Sequence, residues 1–235
     1  MEGLDTRTKV LIGEEGIDAL RNAFVILAGA GAVGGYALEG LVRSGVGHIR
    51  VIDGDVFSGS NLNRQILATS DTLGRRKAEV AVERARSINP DIDIEGIPSL
   101  ITKDGLDELL KGNPDVVVDA IDTVEHKVAL LRYAAEHDMR VFSSMGAALH
   151  MDTQSVRIAP LKKTKVCPLA SAVRSRLRDI DTNNITAVYS EEQPLVTPNE
   201  RDDHGKSVLG SLPTLPAIFG MTLANETIRY IISRS

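Results

Sequence analysis

The stretch AFVILAGAGAVGGYALEG, residues 23–40, places a short apolar run directly before a glycine-rich turn and a helix-like segment. The turn has the spacing Gly29-x-Gly31-x-x-Gly34, and apolar residues then recur with a helical period. Glycines at this spacing permit a tight turn and let a phosphate approach backbone N–H groups at the start of a helix. The pattern therefore predicts a nucleotide-binding turn; glycines that serve only helix–strand packing are the alternative.

Strand-like and helix-like segments alternate up to about residue 150. Such alternation is typical of βαβ units and a parallel sheet. The predicted strands are 23–28, 48–53, 92–97, 115–120 and 140–145. The predicted helices are 32–45, 106–111 and 125–138, and the segment 71–90 holds a further helix that stops before Pro90. Two later strands, 152–160 and 186–191, lack crossover helices, and a polar loop over 180–210 precedes an apolar helix at 215–232. We expect an α/β fold: a Rossmann-like, mostly parallel sheet with helices on both faces and an antiparallel C-terminal extension.

The composition is that of a globular protein and excludes several functional classes. No repeat or linker divides the 235 residues, so we predict a single domain over 1–235. A net charge of −5 argues against a general polyanion binder, and one cysteine allows neither a disulfide framework nor Cys-x-x-Cys pairs for zinc. A signal peptide and an apolar run of the roughly 20 residues that a membrane helix needs are both missing. We expect no zinc, no membrane association and a cytoplasmic location.

A polar loop follows the second predicted strand. Asp53 ends this strand at the position where dinucleotide enzymes bind ribose hydroxyls with an acid. The segment DGDVFSGSNLNRQ, 53–65, adds Asp55, Asn61, Asn63, Arg64 and Gln65, and Lys77 follows on the next helix. Two cations beside a glycine-rich turn suit a triphosphate, because they offset its charge. An NAD(P) oxidoreductase, which has no need of both cations, and a solvated loop of turn-forming residues are the alternatives.

Two aspartates follow the fourth predicted strand, in DAIDTVEHK, residues 119–127. Ligands of open parallel sheets bind beyond the carboxyl ends of the strands, so we expect Asp122 to face the phosphates. A carboxylate beside a triphosphate is best explained by Mg²⁺ between them. Asp119 lies deeper and is expected to cap the next helix or to orient the loop. Lys127 is expected to be a surface or loop-supporting residue.

These motifs, in this order and spacing, resemble the ubiquitin-activating-type, ATP-dependent adenylating family that includes ThiF, MoeB and HesA proteins. The segments GAGAVGG, DGDVFSGSNLNRQ, GRRKAE and DAIDTVEHK carry the resemblance, which covers nearly the whole chain. The resemblance implies a homodimeric enzyme that uses ATP to adenylate a carboxylate and releases pyrophosphate. A non-catalytic nucleotide-binding scaffold could lose Arg64, Lys77 and Asp122, so their presence together argues against that alternative.

The resemblance also implies roles for single residues. The nucleotide would be bound by Gly29, Gly31, Ala32, Gly34, Asp53, Asp55, Asn61, Asn63 and Gln65. Asp53 would hold the ribose, Asn61, Arg64 and Lys77 would contact the phosphates, and Asp122 would hold Mg²⁺. Arg7, in RTKVLIGEEGIDAL (7–20), would act in the partner subunit's site. The family often has glycine where this chain has Ala32, which still offers its N–H.

The C-terminal part resembles one branch of that family, the tRNA threonylcarbamoyladenosine dehydratases. The segments VCPLASAVRSRLR (166–178), AVYSEEQP (187–194) and GSLPTLPAIFGMTLANETIR (210–229) carry this similarity. Enzymes of the branch adenylate the carboxylate of the modified adenosine at tRNA position 37; the acyl group then cyclises and AMP leaves. The alternative is adenylation of a ubiquitin-like sulfur carrier, whose tail the 180–210 loop would guide. A ubiquitin-like or sulfur-donor protein is then a further candidate partner.

A basic block lies between residues 157 and 178. It contains no acidic residue and seven basic ones, Arg157, Lys162, Lys163, Lys165, Arg174, Arg176 and Arg178. On an acidic protein such a block predicts a surface for RNA phosphates, with Arg174 and Arg178 on one helix face. A solvated helix face is the alternative. We interpret Cys167 as a helix entry rather than a thioester-forming nucleophile, and His204 as a solvated loop residue.

Overall fold

The central sheet is mostly parallel. The computed structural model describes residues 3–197, 201 and 208–234, and within them a seven-stranded sheet has the order β3-β2-β1-β4-β5-β7-β6. Its strands are β1 (Phe24–Ala28), β2 (His48–Ile52), β3 (Asp93–Ile97), β4 (Val116–Asp119), β5 (Val141–Ser144), β6 (Val156–Pro160) and β7 (Ile185–Ser190). All neighbouring pairs are parallel except β6 with β7. The strand order reverses between β1 and β4, where ligands of such sheets bind.

Helices cover both faces of this sheet. They are α1 (Thr6–Asn22), α2 (Gly34–Arg43), α3 (Lys77–Ile88), α4 (Leu106–Leu109), α5 (Val124–Glu136), α6 (Pro168–Arg176) and α7 (Thr214–Ile232). Val25 and Leu27 belong to the core shared with α1, α2, α3 and α7, whereas Ile26 and Ala28 belong to the core shared with α4, α5 and α6. Because both faces are covered, the inner strands are apolar throughout rather than alternating. Among the described residues, no helix has the length and apolarity needed to cross a membrane.

The structure corrects one predicted helix boundary. The predicted helix 106–111 ends at Leu109, because the end of an element is decided by local backbone conformation. The helix predicted within 71–90 is confirmed: it begins at Lys77, after Gly74 with a φ of +78° and the extended Arg76, and it ends at Ile88, before Pro90.

The region after β5 differs more from its prediction. Only β6 is antiparallel; β7 is inserted between β5 and β6 and pairs parallel with β5. Helix α6 lies between β6 and β7 in the chain and packs against α5, so these strands do have a helical connection. The predicted loop 180–210 contains β7, and its residues 198–200 and 202–207, including His204, lie outside the described residues.

Candidate active site

A cavity of about 360 Å³ lies beyond the carboxyl ends of β1, β2 and β4. It is the place that the topology predicts for a ligand. Of the residues that the sequence singled out, the cavity is lined by Gly29, Gly31, Ala32, Asp53, Asp55, Gln65, Lys77 and Asp122. These residues lie far apart in the chain, and the sheet topology brings them to one site.

The glycine loop is closely packed on two sides. Gly29 has a φ of +95°, and a Cβ there would lie 2.9 Å from the Ala120 carbonyl oxygen. A Cβ on Gly34 would lie 1.8 Å from the Gly29 carbonyl oxygen, so this glycine permits the packing of the loop against α2. A Cβ on Gly31, by contrast, would meet only the side-chain amide of Gln65 within 4 Å, at 3.8 Å or more. The start of α2, which carries no side-chain cap, therefore lies beside an open part of the cavity and can bind an anion.

Asp53 is fixed between the glycine loop and the end of β2. Its Oδ2 accepts the Ala30 N–H at 2.7 Å, and its Oδ1 accepts the Asp55 N–H at 2.9 Å. Burial raises the pKa of the Asp53 carboxyl, and the nearby Lys77 ammonium opposes that shift. The two backbone bonds orient the carboxylate, which keeps further acceptor capacity for a hydroxyl group of a ligand.

Lys77 provides a buried cation at the cavity. Lys77 is the first residue of α3 and is 6% exposed, and its Nζ pairs with Asp55 Oδ2 at 3.1 Å. Gln65 also lines the cavity, is 7% exposed, and its Oε1 has no hydrogen-bond partner among the described residues. An ammonium group and an amide oxygen with free acceptor capacity suit a charged, polar ligand.

Five predicted site residues do not line the cavity, and the first is Gly34, which packs against the glycine loop as described above. Arg64 donates to the Ser60 carbonyl oxygen at 2.7 Å and to Asn63 Oδ1 at 2.9 Å. Asn61 accepts the Ser58 N–H at 3.1 Å and so caps a short 3₁₀ turn. Asn63 donates to the Ser211 carbonyl oxygen at 3.0 Å and joins this turn to the segment before α7. Arg7 is exposed on α1.

The carboxylates of DAIDTVEHK have two different environments. Asp122 is exposed at the cavity, and its Oδ1 accepts a hydrogen bond from the Thr123 hydroxyl group at an O–O distance of 3.1 Å. Asp119 is fully buried, and its Oδ1 accepts the Ile121 N–H at 3.0 Å, so it orients the loop and does not cap α5. Lys127 is not at the surface as one of its two predicted positions had it, because its side chain is fully buried; its pairing with Asp119, which orients the loop, agrees with the other prediction, a loop-supporting residue. A buried partner carboxylate, which the sequence alone does not reveal, makes this burial possible.

The cavity also has lining residues that the sequence did not single out. They include the apolar Leu100, Ile101 and Ile121 together with His126 from the start of α5. Leu100 and Ile101 follow β3 in the chain, and Ile121 and His126 follow β4. Their position after strand ends was the available signal, but nothing in their residue types marks them as a site.

The basic block is spread over several elements. Pro160, at the end of β6, is paired with Thr186 near the start of β7. Lys162 and Lys163 follow Pro160, so they lie at the end of the sheet where the parallel strands begin, which is opposite the cavity. Helix α6 ends at Arg176, so Arg174 and Arg178 do not share a helix face as predicted. Both nevertheless line a second cavity of about 260 Å³, together with Lys162.

Cys167 lies at the start of α6, with Pro168 as the first helical residue. Its side chain is 2% exposed, and it packs in the apolar core on the side of α4, α5 and α6. This geometry fits the helix entry that we predicted from CPL.

The similarity of the chain to known proteins agrees with this geometry. The ThiF family model matches residues 6–235. The chain belongs to the ThiF family. Among relatives in this family, the tRNA threonylcarbamoyladenosine dehydratase of Bacillus subtilis is 34% identical over 204 residues, which are 86% of this chain and 79% of the relative.

A solved ThiF-family structure confirms the predicted fold class. The E. coli tRNA N6-threonylcarbamoyladenosine dehydratase TcdA, in complex with ATP, is similar with a TM-score of 0.89 and 29% identity, over 100% of this chain and 98% of that one. The sulfur carrier protein ThiS adenylyltransferase of B. subtilis is 39% identical, but over only 119 residues, 50% of this chain and 35% of the relative. The similarity to the dehydratases thus extends over more of the chain.

Proposed function

We propose that this ThiF-family chain is an ATP-dependent adenylating enzyme that acts on threonylcarbamoyladenosine at position 37 of tRNA. The observation that carries the proposal is the cavity that unites the glycine loop, Asp53, Lys77 and Asp122. The similarity to dehydratases along most of the chain supports the choice of substrate. A hydride-transfer enzyme would not need Lys77 and Asp122 beside the glycine loop.

The proposed reaction has two steps. A carboxylate oxygen of the modified adenosine attacks the α-phosphorus of ATP, and pyrophosphate leaves with the electrons of the broken P–O bond. A nucleophilic group of the same side chain then attacks the activated carbonyl carbon and loses its proton to solvent, the bond between this carbon and the AMP oxygen breaks, and AMP leaves, so that a cyclic product with one water less remains. Preorganised donors and cations lower the barrier of such steps by stabilising the charge that develops on phosphate oxygens.

The chain supplies groups for the ribose and for the phosphates of ATP. Asp53 accepts hydrogen bonds from ribose hydroxyls, and the backbone N–H groups of Gly31 and Ala32 bind phosphate oxygens. Lys77 offsets the phosphate charge, assisted by the amide of Gln65. Gly34 supports the loop by packing. We propose that Arg64, Asn61 and Asn63, which lie on the turn next to Gln65, contact the phosphates after leaving the hydrogen bonds that hold them without a ligand.

Asp122 is the residue that would hold Mg²⁺, with Asp55 as a second carboxylate on the cavity. Magnesium in nucleotide sites is held by one or two carboxylates together with phosphate oxygens, and two exposed carboxylates on this cavity fit that ligand set. Bound Mg²⁺ would neutralise negative charge of the triphosphate.

A homodimer is part of the proposal. The side chains of Val10 and Leu11 on α1 are 88% and 85% exposed, and Arg7 lies one turn before Leu11 on the same helix. Adjacent apolar side chains that are this exposed favour contact with another protein surface. We propose that a second copy covers them, and that Arg7 acts in the partner's site.

The second cavity supports the choice of tRNA. Arg174, Arg178 and Lys162 line it, and Lys163 and Lys165 are exposed nearby in the chain. Lys162 pairs with Asp181 at 2.8 Å, and Arg176 pairs with Glu125 at 3.0 Å, so we expect these two residues to contribute less to RNA binding than Arg174 and Arg178. A tRNA is long enough to contact opposite edges of the protein at once. We propose that the enzyme works in the cytoplasm, where this tRNA would be modified.

Adenylation of a ubiquitin-like sulfur carrier is the second candidate, favoured by the similarity to the ThiS adenylyltransferase. One experiment separates the two. AMP release from ATP and Mg²⁺ is measured with tRNA that carries threonylcarbamoyladenosine, with the same tRNA without the modification, and with a ubiquitin-like carrier. We expect AMP only with the modified tRNA, and a nucleoside lighter by one water in mass spectrometry. Turnover with the carrier alone would replace tRNA as the substrate.

A further inference from the structure

A fully buried polar network lies beneath the turn that carries Asp122. Lys127 Nζ and Asp119 Oδ2 are 2.5 Å apart, and both side chains are 0% exposed. The Ser143 hydroxyl, from β5, donates to the same carboxylate oxygen at 2.5 Å. One carboxylate thereby connects the end of β4, the first turns of α5 and the end of β5.

The second oxygen of Asp119 fixes the turn itself. It accepts the Ile121 N–H, directly before Asp122, while the Ala120 N–H donates to the Ala28 carbonyl oxygen at 2.8 Å. The turn also contacts the glycine loop, because a Cβ on Gly29 would lie only 2.9 Å from the Ala120 carbonyl oxygen. The position of Asp122 relative to the glycine loop therefore depends on the position of Asp119.

Fold stability alone does not explain this network. Removing two charges from water is costly, and well-packed apolar side chains in place of a buried ion pair are often neutral or stabilising. The surrounding core offers such side chains, since Leu130, Leu131 and Val141 are all fully buried there. What the network contributes is a fixed geometry, because the two oxygens of the Asp119 carboxylate accept from three donors that lie on three different elements.

We propose that Lys127 is a positioning residue for the Mg²⁺·ATP complex. Its ammonium holds Asp119 in one orientation, Asp119 holds the backbone at Ile121, and that backbone sets the distance between Asp122 and the glycine loop. Lys127 itself touches neither nucleotide nor metal. The inference rests on the proposed role of Asp122 and deepens it.

The test uses the full-length double variant Asp119→Asn/Lys127→Met. It removes both charges together and keeps an acceptor for the Ile121 N–H. Calorimetry measures the affinity for ATP with and without Mg²⁺. This comparison is informative because residues that hold metal ligands in position typically contribute about 10- to 100-fold to metal affinity. We expect Mg²⁺·ATP to bind at least about tenfold more weakly, and Mg²⁺-free ATP to bind with an unchanged affinity. An unchanged Mg²⁺·ATP affinity would overturn the proposal.

Two further variants separate positioning from general destabilisation. Ser143→Ala removes one donor and keeps the ion pair, so we expect the same selective loss of Mg²⁺·ATP affinity with a smaller size. An unchanged Mg²⁺·ATP affinity in Ser143→Ala would contradict the proposal even if the double variant does not fold.

Glu39→Gln is the matched control, because Glu39 is a buried carboxylate held by Arg43 and Arg84 that does not line the cavity. We expect it to lower thermal stability without changing Mg²⁺ dependence; an equal change in Mg²⁺ dependence would assign the effect to destabilisation. Wild-type protein that binds Mg²⁺·ATP but adenylates no acyl substrate would count against the proposed function alone.

Discussion

The two parts of the sheet place their functional residues in different ways. In β1, β2 and β4, parallel strands end side by side, and the residues that follow them meet in one cavity. After β5 the chain reverses in β6, and the basic block continues to the opposite edge of the sheet. Parallel topology thus brings the nucleotide residues together almost automatically, whereas the position of the basic residues depends on individual turns. We expect the first part to control adenylation and the second to control the choice of acyl substrate.

The largest expected effect comes from the first part. Lys77→Ala or Asp122→Ala should lower ATP–pyrophosphate exchange in the presence of the acyl substrate by about 10²- to 10³-fold, the typical effect of removing one preorganised charge. Lys111→Ala is the matched control, because Lys111 is exposed and lines neither cavity. Circular dichroism would show that the fold is intact. Full exchange in either site variant would remove that residue from the site.

Packing in the glycine loop gives the next effect. In Gly34→Ala the added Cβ would meet the Gly29 carbonyl oxygen at 1.8 Å, and this backbone atom cannot move without displacing the loop. We expect the free energy of unfolding to fall by about 3 kcal/mol or more, as for severe overpacking. Gly59→Ala, where the Cβ would meet open space, should change it by less than about 0.5 kcal/mol. Equal urea midpoints for the two variants would contradict this account.

The second part is tested by charge reversal. Arg174→Glu/Arg178→Glu should weaken tRNA binding and reduce the slope of log affinity against log salt by about two, roughly one for each phosphate that these arginines no longer neutralise. ATP affinity should stay unchanged, because neither residue lines the nucleotide cavity. The control Arg86→Glu/Lys103→Glu makes the same change of charge at exposed positions elsewhere. If both double variants weaken tRNA binding equally, net charge rather than this cavity controls RNA binding.

The same contrast explains what could be predicted from sequence. The glycine spacing, Asp53, Lys77 and Asp122 follow strands of a parallel sheet, and a regular topology places them in one cavity without further information. The burial of Lys127 could not be predicted, because it requires Asp119 and Ser143 from two other elements. The pairing of β7 with β5 could not be predicted either, since an apolar strand fits both parallel and antiparallel neighbours. Hydrogen bonds to Ser60 and Asn63 hold the Arg64 side chain outside the cavity, and sequence spacing carries no information about the direction of a side chain.

The smallest expected effect concerns the pH dependence of stability and arises in the second part of the sheet. His150, after β5, is 5% exposed, its Nδ1 has no hydrogen bond among the described residues, and it lies 3.8 Å from Glu192 Oε2. Burial lowers the pKa of His150 below its usual 6.5, against the opposing effect of the Glu192 carboxylate. The unfolded chain therefore takes up this proton at a higher pH than the folded protein, so stability falls as pH decreases from about 6.5 towards the folded-state pKa.

One proton limits this slope to about 1.4 kcal/mol per pH unit, which urea unfolding at closely spaced pH values can resolve. In His150→Gln the loss of stability in that window should become smaller, because the titrating group is gone. In Glu192→Gln the loss should instead extend to lower pH, because the carboxylate that supports the protonated imidazole is removed. Parallel stability–pH curves for the wild type and His150→Gln would mean that acid sensitivity arises elsewhere. Asp53 could not be its source, because its raised pKa has the opposite consequence: its contribution to stability is present at low pH and is lost as pH rises.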